Sequence, residues 1–117
     1  MRVLIADDHP LILAGIKRAL EEDDQFEVVA EARVGSQVLP LVSQTNPDLA
    51  LLDLRMPEMD GLTCLDRIRK EHPKVKVVIL SVSTDPEIVQ TVLNHGAAAY
   101  IVKSVNQIGR ASCRERV

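Results

Sequence analysis

The chain has 117 residues, of which 46% are hydrophobic and only two, Phe26 and Tyr100, are aromatic; its formal net charge is −3. That length suits one domain with an aliphatic core. The charge excludes non-specific nucleic-acid binding, and the lack of a long apolar run excludes a membrane-spanning helix. Met1-Arg2 leads straight into an apolar run rather than a leader peptide. Cys64 and Cys113 lie far apart without metal-ligand spacing, which fits a reducing, cytoplasmic setting.

In chain order, Arg2 to Ala6 reads as a short buried strand ending in Asp7-Asp8-His9-Pro10. Pro10 suits the first turn of a helix, with Asp8 or His9 as its cap. Leu11, Ala14, Ile16 and Leu20 mark the apolar side of that helix up to Glu21. Phe26 to Ala32 is a second strand, and Ser36 is placed to cap a second helix reaching Thr45. Pro40 inside this pattern predicts a kink or a late start, because an interior proline costs roughly 3 kcal/mol. Asn46-Pro47 closes the helix.

The run Leu49 to Leu52 ends abruptly in Asp53, and a loop with Pro57 and Gly61 follows. A third helix runs through Leu62, Leu65 and Ile68, with Asp60 as cap and His72-Pro73 as stop. Val75 to Leu80 is a β-branched strand ending at Ser81. Asp85-Pro86 opens a fourth helix through Ile88, Val89, Val92 and Leu93, which Gly96 stops. Ala98 to Val102 is a fifth strand ending at Lys103. The alternation predicts an α/β fold, a doubly wound five-stranded parallel sheet with helices on both faces.

In such a sheet the carboxyl ends of the strands share one rim, where ligands bind. Here that rim gathers Asp7, Asp8, Asp53, Ser81 and Lys103. Singly, each has a plain structural reading: Asp8 or Asp53 as a cap, Ser81 as a turn residue, Lys103 as a solvated cation. Together they place three carboxylates around one pocket, which is costly without a cation. A hard divalent ion such as Mg²⁺ resolves that repulsion with oxygen ligands. Asp53 could then attack a phosphoryl group as a carboxylate nucleophile, with Lys103 neutralising and Ser81 hydrogen bonding the phosphoryl oxygens.

D-D-H-P at 7–10, D-L-R-M-P-E-M-D-G at 53–61, L-S at 80–81 and Y-I-V-K-S at 100–104 resemble response-regulator receiver domains of two-component signalling. The wording is most similar to the NarL/FixJ (LuxR-type) subfamily. The resemblance implies a flavodoxin-like strand order of 2-1-3-4-5 and a phosphoacceptor at Asp53. It also implies Mg²⁺ held by Asp8, Asp53 and the backbone carbonyl of Arg55, with Asp7 acting through water. Ser81 and Lys103 become the hydroxyl and lysine of the site, and Tyr100 the aromatic that rotates as Ser81 moves. Arg55 and Ser83 tune loss of the phosphoryl group. The implied partners are a sensor histidine kinase and, for some members, a second receiver. The domain is a signalling module rather than an enzyme. Ser104 stands where many receivers carry proline.

The remaining conspicuous side chains read as structural. Cys64 is a small packing residue, Met56 and Met59 cover the site, and His9, His72 and His95 are isolated with no metal constellation. The family pattern expects a fifth helix, but the chain closes with I-G-R-A-S-C-R-E-R-V. That string reads as a translated sequencing adapter, which leaves residues 1–107 as the receiver domain, 108–117 as a non-native tail, and the fifth helix replaced or incomplete. The chain is then a truncated piece of a DNA-binding transcriptional regulator without its helix-turn-helix domain. The alternatives are a stand-alone receiver serving a phosphorelay, a protein-interaction adaptor, and a small hydrolase with an aspartate nucleophile. The hydrolase would want a second catalytic acid and a substrate-covering insertion, and the sequence offers neither.

Overall fold

Five apolar runs become the strands β1 (Arg2–Ala6), β2 (Glu27–Ala32), β3 (Leu49–Asp53), β4 (Lys76–Ser81) and β5 (Ala99–Gln107). Four helices alternate with them: α1 (Pro10–Glu21), α2 (Val38–Thr45), α3 (Gly61–Glu71) and α4 (Pro86–Asn94). The computed structural model describes residues 1–107 and 110–116, with side chains described as far as Lys103. The five strands are parallel, as the alternation predicts, and follow the order β2-β1-β3-β4-β5 that the resemblance implies. A sixth strand, β6 (Arg110–Arg116), adds to the β5 edge in antiparallel sense. Among the described residues no helix follows β5. The adapter reading of 108–117 and the comparison of Ser104 with proline rest on side chains outside the described residues; no cis peptide bond occurs among the described ones.

Strand side chains alternate between the two faces of a sheet, and the core divides accordingly. Leu4, Ala6, Ala50, Leu52, Val77, Ile79 and Tyr100 pack on one face, against Val38, Leu39 and Val42 of α2, Cys64, Leu65 and Ile68 of α3, and Val92 of α4. Val3, Ile5, Leu51, Val78, Leu80 and Ala99 point to the other face, where Leu13, Ile16 and Leu20 of α1 cover them. Leu13, Ile16 and Leu20 set the side of α1 that meets this core, and Ile12 is buried as well. Leu11 and Ala14, expected on that side, are exposed, and Leu11 retains 62% of its surface. Met56 packs into the larger core and Met59 lies against it.

The helix starts follow local chemistry with two corrections. Asp60 caps α3 by accepting the Thr63 N–H at 2.8 Å, and Asp85 caps α4 by accepting the Glu87 N–H at 2.9 Å. α1 begins after His9 with Pro10 in its first turn, yet no side chain caps it; the His9 ring faces Asp7 instead. Ser36 does not cap α2, because it lies inside a 3-10 turn at Gly35–Gln37 that precedes the helix. That turn delays α2 to Val38 and leaves Pro40 in its first helical turn, where a missing N–H costs little.

Two glycines fix the loop that follows Asp53. The Gly61 N–H donates to the Leu54 carbonyl at 2.8 Å, and the Gly35 N–H donates to the Pro57 carbonyl at 3.0 Å. A Cβ on Gly61 would collide with the Asp53 carbonyl, and one on Gly35 with the Met59 carbonyl. Glycine is needed at both for close approach of two backbone segments. Gly61→Ala should lower stability by roughly 2 kcal/mol or more, in the range of overpacked sites. Gly15→Ala, in an open position of α1 with nothing within 4 Å of the added carbon, should raise it by about 0.5–1 kcal/mol. Urea denaturation of the two variants beside the parent checks both, and equal stability of the Gly61 variant would refute the close-approach account.

Candidate functional site

The alternation that sorts the core also sorts the rim. Asp7 continues the series Val3, Ile5; Asp53 continues Leu49, Leu51; and Lys103 continues Ala99, Ile101. All three therefore turn to the α1 side of the sheet. Ser81 follows Val77 and Ile79, and with Tyr100 it belongs to the opposite parity. Strand register aligns the ends, since Asp53 pairs with Leu80 and Ser81 with Val102.

The result is a buried ionic cluster. The Lys103 ammonium donates to Asp7 Oδ2 at 2.6 Å and lies 3.1 Å from Asp53 Oδ2. Asp7, Asp53 and Lys103 retain 0%, 3% and 3% of their surface, so water screens these charges weakly. Burial is the main force on the Asp53 carboxyl and pushes it up to about 6 from 3.8; Lys103 pulls it back, Asp7 adds to the rise, and the Arg55 N–H opposes it. That N–H points at Asp53 Oδ1 from 3.3 Å, while the Arg55 side chain is exposed.

Asp8 stands at the mouth of the cluster. Its Oδ1 is buried yet has no hydrogen-bond partner, a state that ordinarily costs about 1–3 kcal/mol, and more for a charged group. The His9 ring nitrogen Nδ1 lies 3.0 Å from that atom, outside hydrogen-bonding geometry, and 3.1 Å from Asp7 Oδ1, with which it does share a hydrogen bond. Asp7, Asp8, His9 and Asp53 thus offer a group of ligand atoms all within 4.8 Å of one another. The reading of His9 as isolated is corrected here: its position directly after two rim carboxylates was the available signal. His95 is also paired, through Nδ1 to Asp66 at 2.7 Å, and His72 approaches the Ser43 hydroxyl at 3.4 Å.

On the opposite face a relay of polar contacts joins Ser81 to Tyr100. Ser81 Oγ accepts the Ser83 N–H at 3.1 Å, and the Tyr100 hydroxyl donates to the Ser83 carbonyl at 2.9 Å. Tyr100 is fully buried, so its hydroxyl needs such a partner. Cys64 is buried as well, with its thiol pushed up to about 11 mainly by burial, and it is a packing residue as expected.

Parallel strand order, rim and spacing together define a receiver. The family described as "Response regulator receiver domain" matches residues 3–109, and the chain belongs to that family. Its relatives are NarL- and LuxR-type regulators. It is 40% identical to the nitrate/nitrite response regulator protein NarL of Escherichia coli (strain K12) over 103 residues, 88% of this chain and 48% of that protein. It is 37% identical to the transcriptional regulatory protein DegU of Brevibacillus brevis, over 91% of this chain and 45% of that protein. The signal receiver domain of the putative response regulator NarL from Mycobacterium tuberculosis superposes with a TM-score of 0.81 at 40% identity, covering 85% of this chain and 80% of that one. The chain spans about half the length of the curated relatives it matches. Receiver domains of response regulators are signalling modules. No helix among the described residues is long and apolar enough to cross a membrane.

The raised Asp53 carboxyl carries a stability signature with a definite sign. Its folded value of about 6 exceeds 3.8, so the folded state holds the proton more tightly than the unfolded chain. The stability contributed by this group is fully present below the unfolded value and is lost as pH rises through about 6. Without metal, Asp53→Asn should therefore be more stable than the parent at neutral pH, by roughly 1–3 kcal/mol, and the gain should shrink toward pH 4. Urea midpoints across that range test it; a gap that does not change with pH would show that burial does not disfavour the Asp53 anion.

Proposed function

We propose that Asp53 is the phosphoacceptor of a Mg²⁺-dependent receiver that takes its phosphoryl group from a sensor histidine kinase. The observation that carries this reading is the buried Asp7–Lys103–Asp53 cluster, open on one side through Asp8. A carboxylate held by one ammonium on one oxygen and by a backbone N–H on the other is oriented for attack. In that step a bond forms between an Asp53 oxygen and phosphorus as the bond from phosphorus to the donor imidazole nitrogen breaks. The electron pair leaves with the imidazole.

The residues fit a hard divalent cation. The donors are mainly carboxylate oxygens, Asp8 Oδ1 is orphaned, and Asp53 is disfavoured as an anion by burial; a nearby cation relieves both costs. Asp8, Asp53 and the Arg55 carbonyl would hold Mg²⁺, and Asp7 would act through water. When bound, the ion would offset negative charge on the carboxylates and the incoming phosphoryl oxygens. Lys103 would contribute a second positive charge, and Ser81 a hydroxyl donor.

Phosphorylation would act outward through the Ser81–Ser83–Tyr100 relay. If Ser81 turns toward a phosphoryl oxygen it must release the Ser83 N–H, and the Tyr100 hydroxyl is held by the carbonyl of that same residue. Such a switch shifts populations only by the difference in interaction between its two states. Arg55 and Ser83, each two positions past a key residue, would tune loss of the phosphoryl group. Because the relatives are transcriptional regulators about twice this length, the chain is read as the receiver portion of a DNA-binding regulator, with receiver–receiver dimerisation as one mode of output.

Incubation with Mg²⁺ and acetyl phosphate should yield a single phosphate mass adduct that Asp53→Asn abolishes. Mg²⁺ should also raise the thermal midpoint of the parent, and Asp8→Asn should remove most of that rise. A folded protein that takes no adduct under these conditions overturns the phosphoacceptor reading. Turnover of an external phosphoester would favour a hydrolase instead.

A further inference from the structure

Resting on the metal-site reading above, we propose that His9 is a nitrogen ligand of that site and extends its range from Mg²⁺ to borderline first-row divalent cations such as Co²⁺ and Ni²⁺. The ring nitrogen Nδ1 lies 3.0 Å from Asp8 Oδ1, 3.1 Å from Asp7 Oδ1 and 4.0 Å from Asp53 Oδ2. In an octahedral shell with bonds of about 2.1 Å, neighbouring donors stand about 3.0 Å apart and opposite donors about 4.2 Å apart. The separations from Asp8 and Asp53, the two carboxylates assigned to the cation, match one neighbouring and one nearly opposite position, while the 3.1 Å to Asp7 is the hydrogen bond already made. They therefore describe a nitrogen already spaced as one member of a shared coordination shell.

The contact with Asp8 is the more telling one. The one Nδ1 proton is directed to Asp7 Oδ1, a carboxylate that only accepts, so Asp8 Oδ1 at 3.0 Å is left unbonded, and a cation taking the place of that proton would serve the ring and Asp8 together. Two potential ligands thus stand side by side with one of them unsatisfied. The backbone supports the placement, because the His9 N–H donates to Asp7 Oδ1 at 2.9 Å and fixes the residue before α1 starts. Pro10 behind it restricts the conformation of His9, and the ring itself is 61% exposed at the site mouth. An incoming hydrated cation can therefore meet the ring without opening the core.

Ligand type sets the consequence. Mg²⁺ prefers oxygen and retains its waters, whereas imidazole suits Ni²⁺, Co²⁺ and Zn²⁺. A rim of carboxylates alone would bind these ions as hard sites do; a rim with His9 ranks them above Mg²⁺ by more than the general affinity order gives. Other exposed imidazoles could bind soft ions elsewhere, so the readout must be local to His9.

The test uses the whole chain, with Mg²⁺ and Ni²⁺ titrated calorimetrically into the parent and into His9→Gln and His9→Phe. The Ni²⁺-to-Mg²⁺ affinity ratio should fall about tenfold or more in both variants. In parallel, nitrogen-detected NMR of the histidine rings during a Co²⁺ titration should show the His9 ring strongly shifted or broadened at the first equivalent, before His72 and His95. If Mg²⁺ binds but the ratio is unchanged and the His9 ring responds no earlier than the others, His9 is not a ligand, and the metal-site reading survives. If neither metal binds the folded parent, that reading falls together with this one.

Discussion

The contact between the Lys103 ammonium and two buried carboxylates is the constraint around which the molecule is arranged. It joins the ends of three strands, and its partners Asp7 and Lys103 stand 96 positions apart in the chain. Burial first, and the neighbouring Asp7 charge after it, push the Asp53 carboxyl up to about 6 although Lys103 pulls it back, because one cation there faces two carboxylates. Removing the Lys103 ammonium would leave two buried carboxylates uncompensated, a loss that ordinarily costs several kcal/mol. The cluster is thus both a staple across the rim and an incompletely neutralised site. A structure built for stability alone would be served better by an apolar rim.

The sheet divides the labour of the rim by parity. Asp7, Asp53 and Lys103 fall on one side because they continue the alternations of Val3 and Ile5, Leu49 and Leu51, and Ala99 and Ile101. Ser81 and Tyr100 fall on the other, where the core is thicker and the Tyr100 ring is closed in with Val92 of α4. The charged chemistry and the packed aromatic therefore share a rim but not a face. Within the packed side, the backbone of Ser83 joins Ser81 to Tyr100, its N–H serving the one and its carbonyl the other. β5 carries both Lys103 and Tyr100, so the two sides are tied through that strand.

Much of this could be read from the residues. The five parallel strands follow from apolar runs of strand length separated by helical periodicity, and Asp53 stands out because an uninterrupted apolar run ends in it. The caps Asp60 and Asp85 follow from local chemistry alone, since a short carboxylate before a helix has one dominant use. Other features were not legible because they depend on neighbours distant in sequence. Ser36 looks like a cap until the segment tightens into a 3-10 turn held by the loop at Pro57 and Met59. Leu11 looks like core until the sheet beneath α1 selects Leu13, Ile16 and Leu20 instead. β6 has no precedent in the pattern, because the expected element there was a helix. His9 reads as isolated when histidines are compared only with one another; its place directly after Asp7-Asp8 is the signal, and the structure groups it with those carboxylates and Asp53.

The unsatisfied features of the rim have a common direction. Asp8 Oδ1 lacks a hydrogen bond, Asp53 resists ionisation, and a single ammonium serves two carboxylates. Each is a cost that positive charge or a proton at the mouth would lower, and none is relieved by further packing. Binding at such a site releases free energy already present in the unliganded fold, so affinity does not have to come entirely from new contacts. Part of that release is available to move neighbours, provided they interact differently with the two charge states. Ser81 is a residue able to do so, being a buried hydroxyl that accepts a backbone N–H. A neutral bond of that kind is worth about 1 kcal/mol net, whereas one to a charged oxygen reaches about 1.5–3 kcal/mol. The difference is small against the stability of a domain but large enough to reverse the orientation of one side chain. A reorientation of Ser81 therefore needs no large rearrangement at the rim, only a charged acceptor for its hydroxyl proton.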